Sequence, residues 1–256
     1  GWSGVFRATG VIFFAYIGFD AVSVAAQEAR NPQRDIPIGI LGSLIICTVL
    51  YILMSLVMTG LAPYASLNVP HPVFVAIESG GPQLAWLGVI VNVGAVVGLA
   101  SVVLVLLLGQ SRIFYAMSRD GLIPPIYSKV HKNFRTPWLG TMVTGVIAAI
   151  LAGIFPLSIL GELVSIGTLA AFVIVCVGIM VLRVKEPDAH RPFRTPAVWI
   201  VAPLGIAMCL FMMAFLPFDT WLRLVIWTII GLGIYFTYGA RHAKAPTWSL
   251  ARQPAE

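Results

Sequence analysis

An all-α protein that crosses a membrane several times is the fold class this sequence predicts, and three observations lead to it. Its 256 residues are 59% hydrophobic and only 10% charged, whereas a soluble domain is roughly 45–50% apolar and about 25% charged. Crossing a bilayer core about 30 Å thick takes ~20 apolar helical residues. Charge-poor stretches of that kind recur at 8–29, 37–62, 84–111, 138–155, 159–182, 198–216 and 221–240, so about seven transmembrane helices are expected. The basic residues collect at the ends of these stretches, where anionic headgroups would meet them, and the net charge of +6 needs no nucleic acid partner.

The first stretch carries an anomaly. Residues 13–37 read FFAYIGFDAVSVAAQEARNPQRDIP, with Gly18 and Asp20 inside the apolar run. A charge at the bilayer centre costs ~2.5–3.5 kcal/mol on insertion scales, and Gly18 weakens a helix by ~1 kcal/mol relative to alanine. Asp20 can bond locally to freed backbone groups, so the pair favours unwinding near 18–20. Helix resuming beyond the break would set Asp20, Ser23 and Gln27 on one polar stripe. Freed carbonyls around Phe14 to Ile17 would suit an ammonium group, in the manner of discontinuous transporter helices. The alternative is a kinked span whose Asp20 is neutral or bonded to another helix.

Along the rest of the chain the punctuation is local. Asn31-Pro32 reads as a turn, with Asp35 as N-cap of the second helix and Pro37 in its first turn. The third helix, 84–111, is expected to continue past the membrane through Arg112 and Arg119, seven apart on one face, and to stop at Asp120-Gly121 before Pro124. Its Gly94 and Gly98 form a GxxxG pair suited to close helix packing. On the fifth stretch Glu162 suits the helix dipole, and Ser165, Gly167 and Thr168 suit either close helix contact or a water-lined vestibule. Cys47, Cys176 and Cys209 lie in apolar runs with no metal-ligand spacing, and read as small buried hydrophobes; no metal or cofactor is expected.

If each stretch crosses once, the connections alternate between two sides. One side receives Arg30, Arg34, Arg112, Arg119, Lys129, Lys132, Arg135, Arg183, Lys185, Arg191, Arg194, Arg241, Lys244 and Arg252, leaving only Arg7 and Arg223 of the 16 basic residues for the other. By the positive-inside rule the crowded side, with the tail 241–256, is cytoplasmic. The chain begins at Gly1 without a basic segment ahead of a short apolar core, which reads as a piece of a longer protein.

Three strings in order, FFAYIGFDAVSVAAQEARNPQRDIP, then GQSRIFYAMSRDGLIP at 109–124, then LVSIGTLAAFV at 163–173, resemble the amino acid–polyamine–organocation family of transporters, closest to the cationic amino acid transporter-like bacterial branch. The resemblance implies a leucine-transporter-like fold of two inverted five-helix repeats. On it, 1–183 is the second repeat with its first helix broken near 18–20, 184–240 holds two additional spans, and the partner first repeat is the missing N-terminal half. It further implies secondary active transport of amino acids by alternating access, coupled to protons, in the cell membrane. Backbone carbonyls of Phe14, Ala15 and Ile17 would take the substrate ammonium, with Gly18 and Phe19 completing the break and the Phe14 ring as gate. Asp20 would belong to the proton-coupling route. Leu106, near the side-chain pocket, implies a neutral amino acid, and Ser101 is either a vestigial sodium ligand or a packing residue.

Other classes fit less well. His71, His131, His190 and His242 lie in loops or tails, with no HExxH and no aspartate pair within the stretches, so an enzyme is not expected. A seven-span receptor or an accessory membrane subunit fits the topology but gives no reason for the Gly-Phe-Asp break; a sodium-coupled or exchange-type amino acid or polyamine transporter does. The orientation is tested by fusing a reporter after Glu256: green fluorescent protein is expected to fluoresce there and alkaline phosphatase to be inactive, and the opposite pair of results reverses the topology.

Overall fold

The computed structural model describes residues 1–18, 23, 29–69, 71–131, 136–187, 191 and 193–243; Phe19, Asp20 and Gln27 lie outside them. All regular structure among the described residues is helical, the arrangement that satisfies every backbone group within its own segment when lipid offers no hydrogen bonds. The chain divides into two compact units, one of Gly1–Gly18 with Gly109–Glu256 and one of Phe19–Leu108. Among the described residues, four helical segments are long and apolar enough to cross a membrane: Pro32–Leu61, Pro82–Arg119, Leu157–Lys185 and Phe218–His242. Trp138–Ile154 and Val198–Ala214 are apolar but only 17 residues each. The expected stretch 8–29 opens as an 11-residue helix, α1 (Trp2–Ile12), and is interrupted.

In the unit of Phe19–Leu108, helix α2 (Pro32–Leu61) begins earlier than its sequence suggests. Asp35 is not the N-cap: Asn31 holds that position, and its carbonyl accepts the N–H groups of Arg34 (3.1 Å) and Asp35 (2.9 Å). Pro32 supplies a preset helical φ at N1, where no N–H is required, so the helix starts there and carries Pro37 within it. A second departure is helix α3 (Pro72–Ser79), eight residues between α2 and the next long helix, which buries Ala76 and Ile77. Gly81, at φ 99°, turns the chain into a short 3-10 segment, Pro82–Leu84, that leads straight into α4 (Ala85–Arg119).

The continuation of α4 to Arg119 agrees with the expected run past the membrane, and so does its stop. Leu122 N–H donates to the Met117 carbonyl (2.9 Å) and Gly121 N–H to that of Ser118 (3.2 Å). Gly121 sits between them at φ 80°. This is the Schellman arrangement, which closes the last carbonyls of a helix and needs a left-handed residue. The buried Ser118 hydroxyl then ties the turn by donating to the Pro124 carbonyl (2.8 Å).

The remaining helices of the other unit are α5 (Trp138–Ile154), α6 (Leu157–Lys185), α7 (Val198–Ala214) and α8 (Phe218–Ile234). Its core is Ile166 and Leu169 of α6 with Cys209, Met213 and Leu216, and Val11, Phe13 and Trp221 pack around it. Close approaches occur at glycines: a Cβ on Gly205 would meet Cys176 Sγ at 3.4 Å, and one on Gly10 would lie 2.9 Å from the Met212 carbonyl oxygen. Beyond α8 the chain passes through a π turn, Tyr235–Gly239, into Ala240–His242. There the His242 backbone lies hard against Gly121, so closely that a Cβ on the glycine would overlap it.

Gly121→Ala is therefore expected to cost roughly 1–2 kcal/mol for the left-handed backbone alone, and more because the added methyl would push the His242 backbone off its seat. Gly98→Ala, with no atom within 4 Å of the added Cβ, should leave stability unchanged or raise it by up to ~1 kcal/mol through helix propensity. Thermal unfolding midpoints in detergent check the contrast.

Candidate functional site

The interruption of the first helix is built in three steps. Helix α1 ends where Phe13 caps it, the Phe13 N–H donating to the Thr9 carbonyl. The chain tightens into a 3-10 turn, Phe13–Tyr16, closed by a bond from Ile17 N–H to the Phe14 carbonyl (3.1 Å). Ile17 then swings to an extended conformation, φ −65° and ψ 112°, and Gly18 follows at φ 154°, a region that side-chain-bearing residues rarely adopt. Relative to helical ψ, this turns the Ile17 carbonyl by roughly 150° away from the helix axis.

A helix end in an apolar setting leaves carbonyls without partners. The Val11 carbonyl, in the last turn of α1, accepts a hydrogen bond from the Ser165 hydroxyl of α6 (3.3 Å), and Ser165 is 0% exposed. The same face of α6 carries Gly161, one helical turn earlier, and the Phe14 ring lies over it at van der Waals distance, 3.5 Å from where a Cβ would stand. Phe13 meets Phe172, farther along α6, edge to face, ring centroids 6.1 Å apart. Of the two roles open to Ser165 in the sequence, close helix contact is therefore the one it fills.

The interruption gathers Phe14, Ala15, Ile17 and Gly18 into one short run of non-α backbone. The carbonyl end of α1 points at them, and a helix C-terminus carries about −0.5 of a charge, which favours a cation such as an ammonium group. The Phe14 carbonyl has one of its two lone pairs engaged by Ile17, leaving the second to accept. Leu106 lies on α4 in the other unit, 44% exposed. Phe19 and Asp20 are outside the described residues. Ser101 donates its hydroxyl to the Gly98 carbonyl of its own helix (2.7 Å), a local bond of the kind that lets a serine sit in an apolar span. Among the described residues no three His, Cys, Asp or Glu side chains gather as a metal site would need.

One polar group has a larger part than its sequence position suggests. Glu162 lies beyond the first turn of α6, which holds no acidic residue, so the helix dipole contributes little to it. Its Oε2 instead accepts from the Thr220 hydroxyl of α8 (2.9 Å) and from Arg223 Nη1 (3.5 Å). Thr220 is 0% exposed. The signal available in the sequence is Arg223 itself, a basic residue stranded on the side that the positive-inside rule leaves nearly empty.

Comparison with known proteins identifies the family. A family model described as amino acid permease matches residues 1–237. The chain is 46% identical over 245 residues to the branched-chain amino acid permease BcaP of Bacillus subtilis, covering 95% of this chain and 52% of that protein. It is 47% identical over 243 residues to the methylthioribose transporter of the same organism, with the same coverage, 95% and 52%. To the vacuolar cationic amino acid transporter 4 of Arabidopsis thaliana it is 45% identical over 188 residues, 73% of this chain and 31% of that protein. The chain thus spans about half the length of the bacterial relatives it matches. With an apolar all-helical fold, an interrupted first helix and a match over nearly its whole length, the chain belongs to the amino acid permease family of the amino acid–polyamine–organocation transporters.

Proposed function

We propose that this chain is the second half of a proton-coupled transporter for neutral amino acids, working by alternating access in the cell membrane with its C-terminus in the cytoplasm. The observation that carries the reading is the interruption at Phe13–Gly18, a costly feature in a lipid-facing helix and a useful one in the wall of a pocket. In this reading residues 1–183 form the second of two inverted five-helix repeats and α7 and α8 are the trailing pair. The carbonyls of Phe14, Ala15 and Ile17 take the substrate ammonium at the negative end of α1. Gly18 and Phe19 shape the break, the Phe14 ring closes over the substrate, Leu106 lines the side-chain pocket and Asp20 carries the coupling proton. The substrate carboxylate is then left to the first repeat, so this half alone binds weakly and does not transport.

A second reading has its own support, in the likeness to a methylthioribose transporter. Methylthioribose is neutral and apolar at its thioether end but has no ammonium group, so it would meet the carbonyls of the break with hydroxyls instead.

Proteoliposomes containing the full-length protein that carries this chain distinguish the two. Uptake of labelled branched-chain amino acids is expected to rise under an inward proton gradient and to be little affected by methylthioribose. The reverse pattern favours the second reading, and a sodium requirement without a pH effect overturns proton coupling. Asp20→Asn is expected to lower gradient-driven uptake at least about tenfold while substrate binding changes little, the signature of a group used in coupling rather than in binding; unchanged uptake removes Asp20 from the route.

A further inference from the structure

The Phe14 ring and the Val11 carbonyl rest on one turn of α6, Gly161 to Ser165, and that turn is also linked to α8. Gly161 and Ser165, four residues apart, share the face of α6 that meets the first helix: Gly161 lies beneath the Phe14 ring, and Ser165 donates to the Val11 carbonyl. Glu162 lies between them in sequence and faces elsewhere, toward α8, where Thr220 and Arg223 both donate to the one oxygen, Oε2. The neighbours of this link leave little slack. Ile166, Ser165 and Thr220 are each 0% exposed, and Trp221, next to Thr220, donates its indole N–H to the Met213 carbonyl at the end of α7 (3.0 Å).

We propose that Glu162 is a positioning residue for the substrate wall: anchored by Thr220 and Arg223, it fixes the rotation and depth of the α6 turn on which Phe14 and the Val11 carbonyl rest. This rests on the reading of Phe13–Gly18 as part of the substrate pocket. Two features separate the role from generic packing. The Phe14 ring stands over Gly161 with room for just a methyl group between them, 3.5 Å from the Cβ position, so rotation or displacement of this α6 turn alters the support under the ring directly. Thr220 stands in the first turn of α8, where its own helix supplies no carbonyl four residues back, and its buried hydroxyl goes to the carboxylate of α6. Arg223 Nη1, 3.5 Å from Oε2, adds an opposite charge to the same link.

The test uses the full-length protein that carries this chain, reconstituted for uptake and, in parallel, followed by hydrogen–deuterium exchange. Glu162→Ala is expected to raise the KM for a labelled branched-chain amino acid about tenfold or more with the maximal rate within about threefold, the split that a misplaced binding wall produces. Glu162→Gln, whose amide oxygen still accepts from Thr220, is expected to recover most of the loss. Thr220→Val should resemble Glu162→Ala, and the double variant should be no worse than either single one, because both remove the same link. Exchange of the amides of 11–17 should quicken in Glu162→Ala while that of Trp138–Ile154 does not. A KM within about twofold of the parent together with unchanged exchange at 11–17 overturns the proposal, as does a Gln variant as damaged as Ala, which would mean that the charge itself is used. Absence of uptake in the unmutated protein counts against the transport reading alone, and the exchange experiment still decides the role of Glu162. Should Glu162→Ala fail to fold, the Gln and Thr220→Val variants carry both measurements.

Discussion

A carbonyl that loses its helical partner in hydrocarbon costs several kcal/mol, because no water is present to replace the bond. Helix α1 stops inside an apolar stretch, so the neighbouring structure has to absorb that cost. It does so with a small set of bonds. Phe13 N–H closes on Thr9, Ile17 N–H closes on Phe14, and Ser165 reaches across from α6 to Val11. The Ser165 bond draws α1 against α6, and α1 approaches α7 closely enough at Gly10 that a Cβ there would lie 2.9 Å from the Met212 carbonyl oxygen.

The same solvent explains the rest of the packing. Lipid tails are as apolar as leucine, so burying leucine between helices gains little, and association depends on close contact and polar links. The buried set fits that expectation: alongside a small apolar core it contains Ser111, Ser118, Ser165 and Thr220. The large aliphatic residues of α2 and α4 are exposed instead, Ile45, Leu56, Val96 and Leu104 among them, which would be a liability in water and is ordinary in a bilayer. Gly94 and Gly98 belong to this outward set, with nothing within 4 Å of a Cβ on either, so the close packing their spacing suggests is not made among the described residues.

Much of this is legible in the sequence because the signals are local. Gly18 announces the break, Asp120-Gly121 the stop of α4, and uninterrupted apolar character its long run. Where two local signals compete, sequence alone ranks them poorly: Asp35 is a good N-cap residue, but Pro32 preorganises the helix three residues earlier and needs no N–H partner there. Helix α3 leaves no mark in a search for spans, because eight residues cannot cross a membrane and read as loop. The remaining differences are long-range. Ser165 and Val11 are separated by 154 residues, and Glu162 and Thr220 by 58, so neither pair has a sequence period to betray it. Only the unexplained residue on each side, a serine or a charge in an apolar run, hints that a partner exists.

These long-range links divide the unit of Gly1–Gly18 and Gly109–Glu256 into a held part and a free part. Helices α6, α7 and α8 are tied at one end by Glu162 to Thr220 and by Trp221 to Met213, and the segment after α8 is seated on the Gly121 turn. Helix α1 is fixed to this frame as far as Val11 and, through ring contacts, Phe13 and Phe14. Beyond them come an extended residue, Ile17, and a glycine at φ 154° with no atom of the described residues within 4 Å of where a Cβ would stand. A hinge is a short run that absorbs backbone rotation next to elements that cannot move. Ile17 and Gly18 have that character, because the frame stops one turn before them. For the transport reading this division has a direct use: rotation at Ile17 and Gly18 would leave the Val11 carbonyl and the Phe14 ring in register with α6 and re-aim the Ile17 carbonyl, so that of the three carbonyls proposed for the ammonium those of Phe14 and Ala15 would stay in place while the third turns toward or away from it.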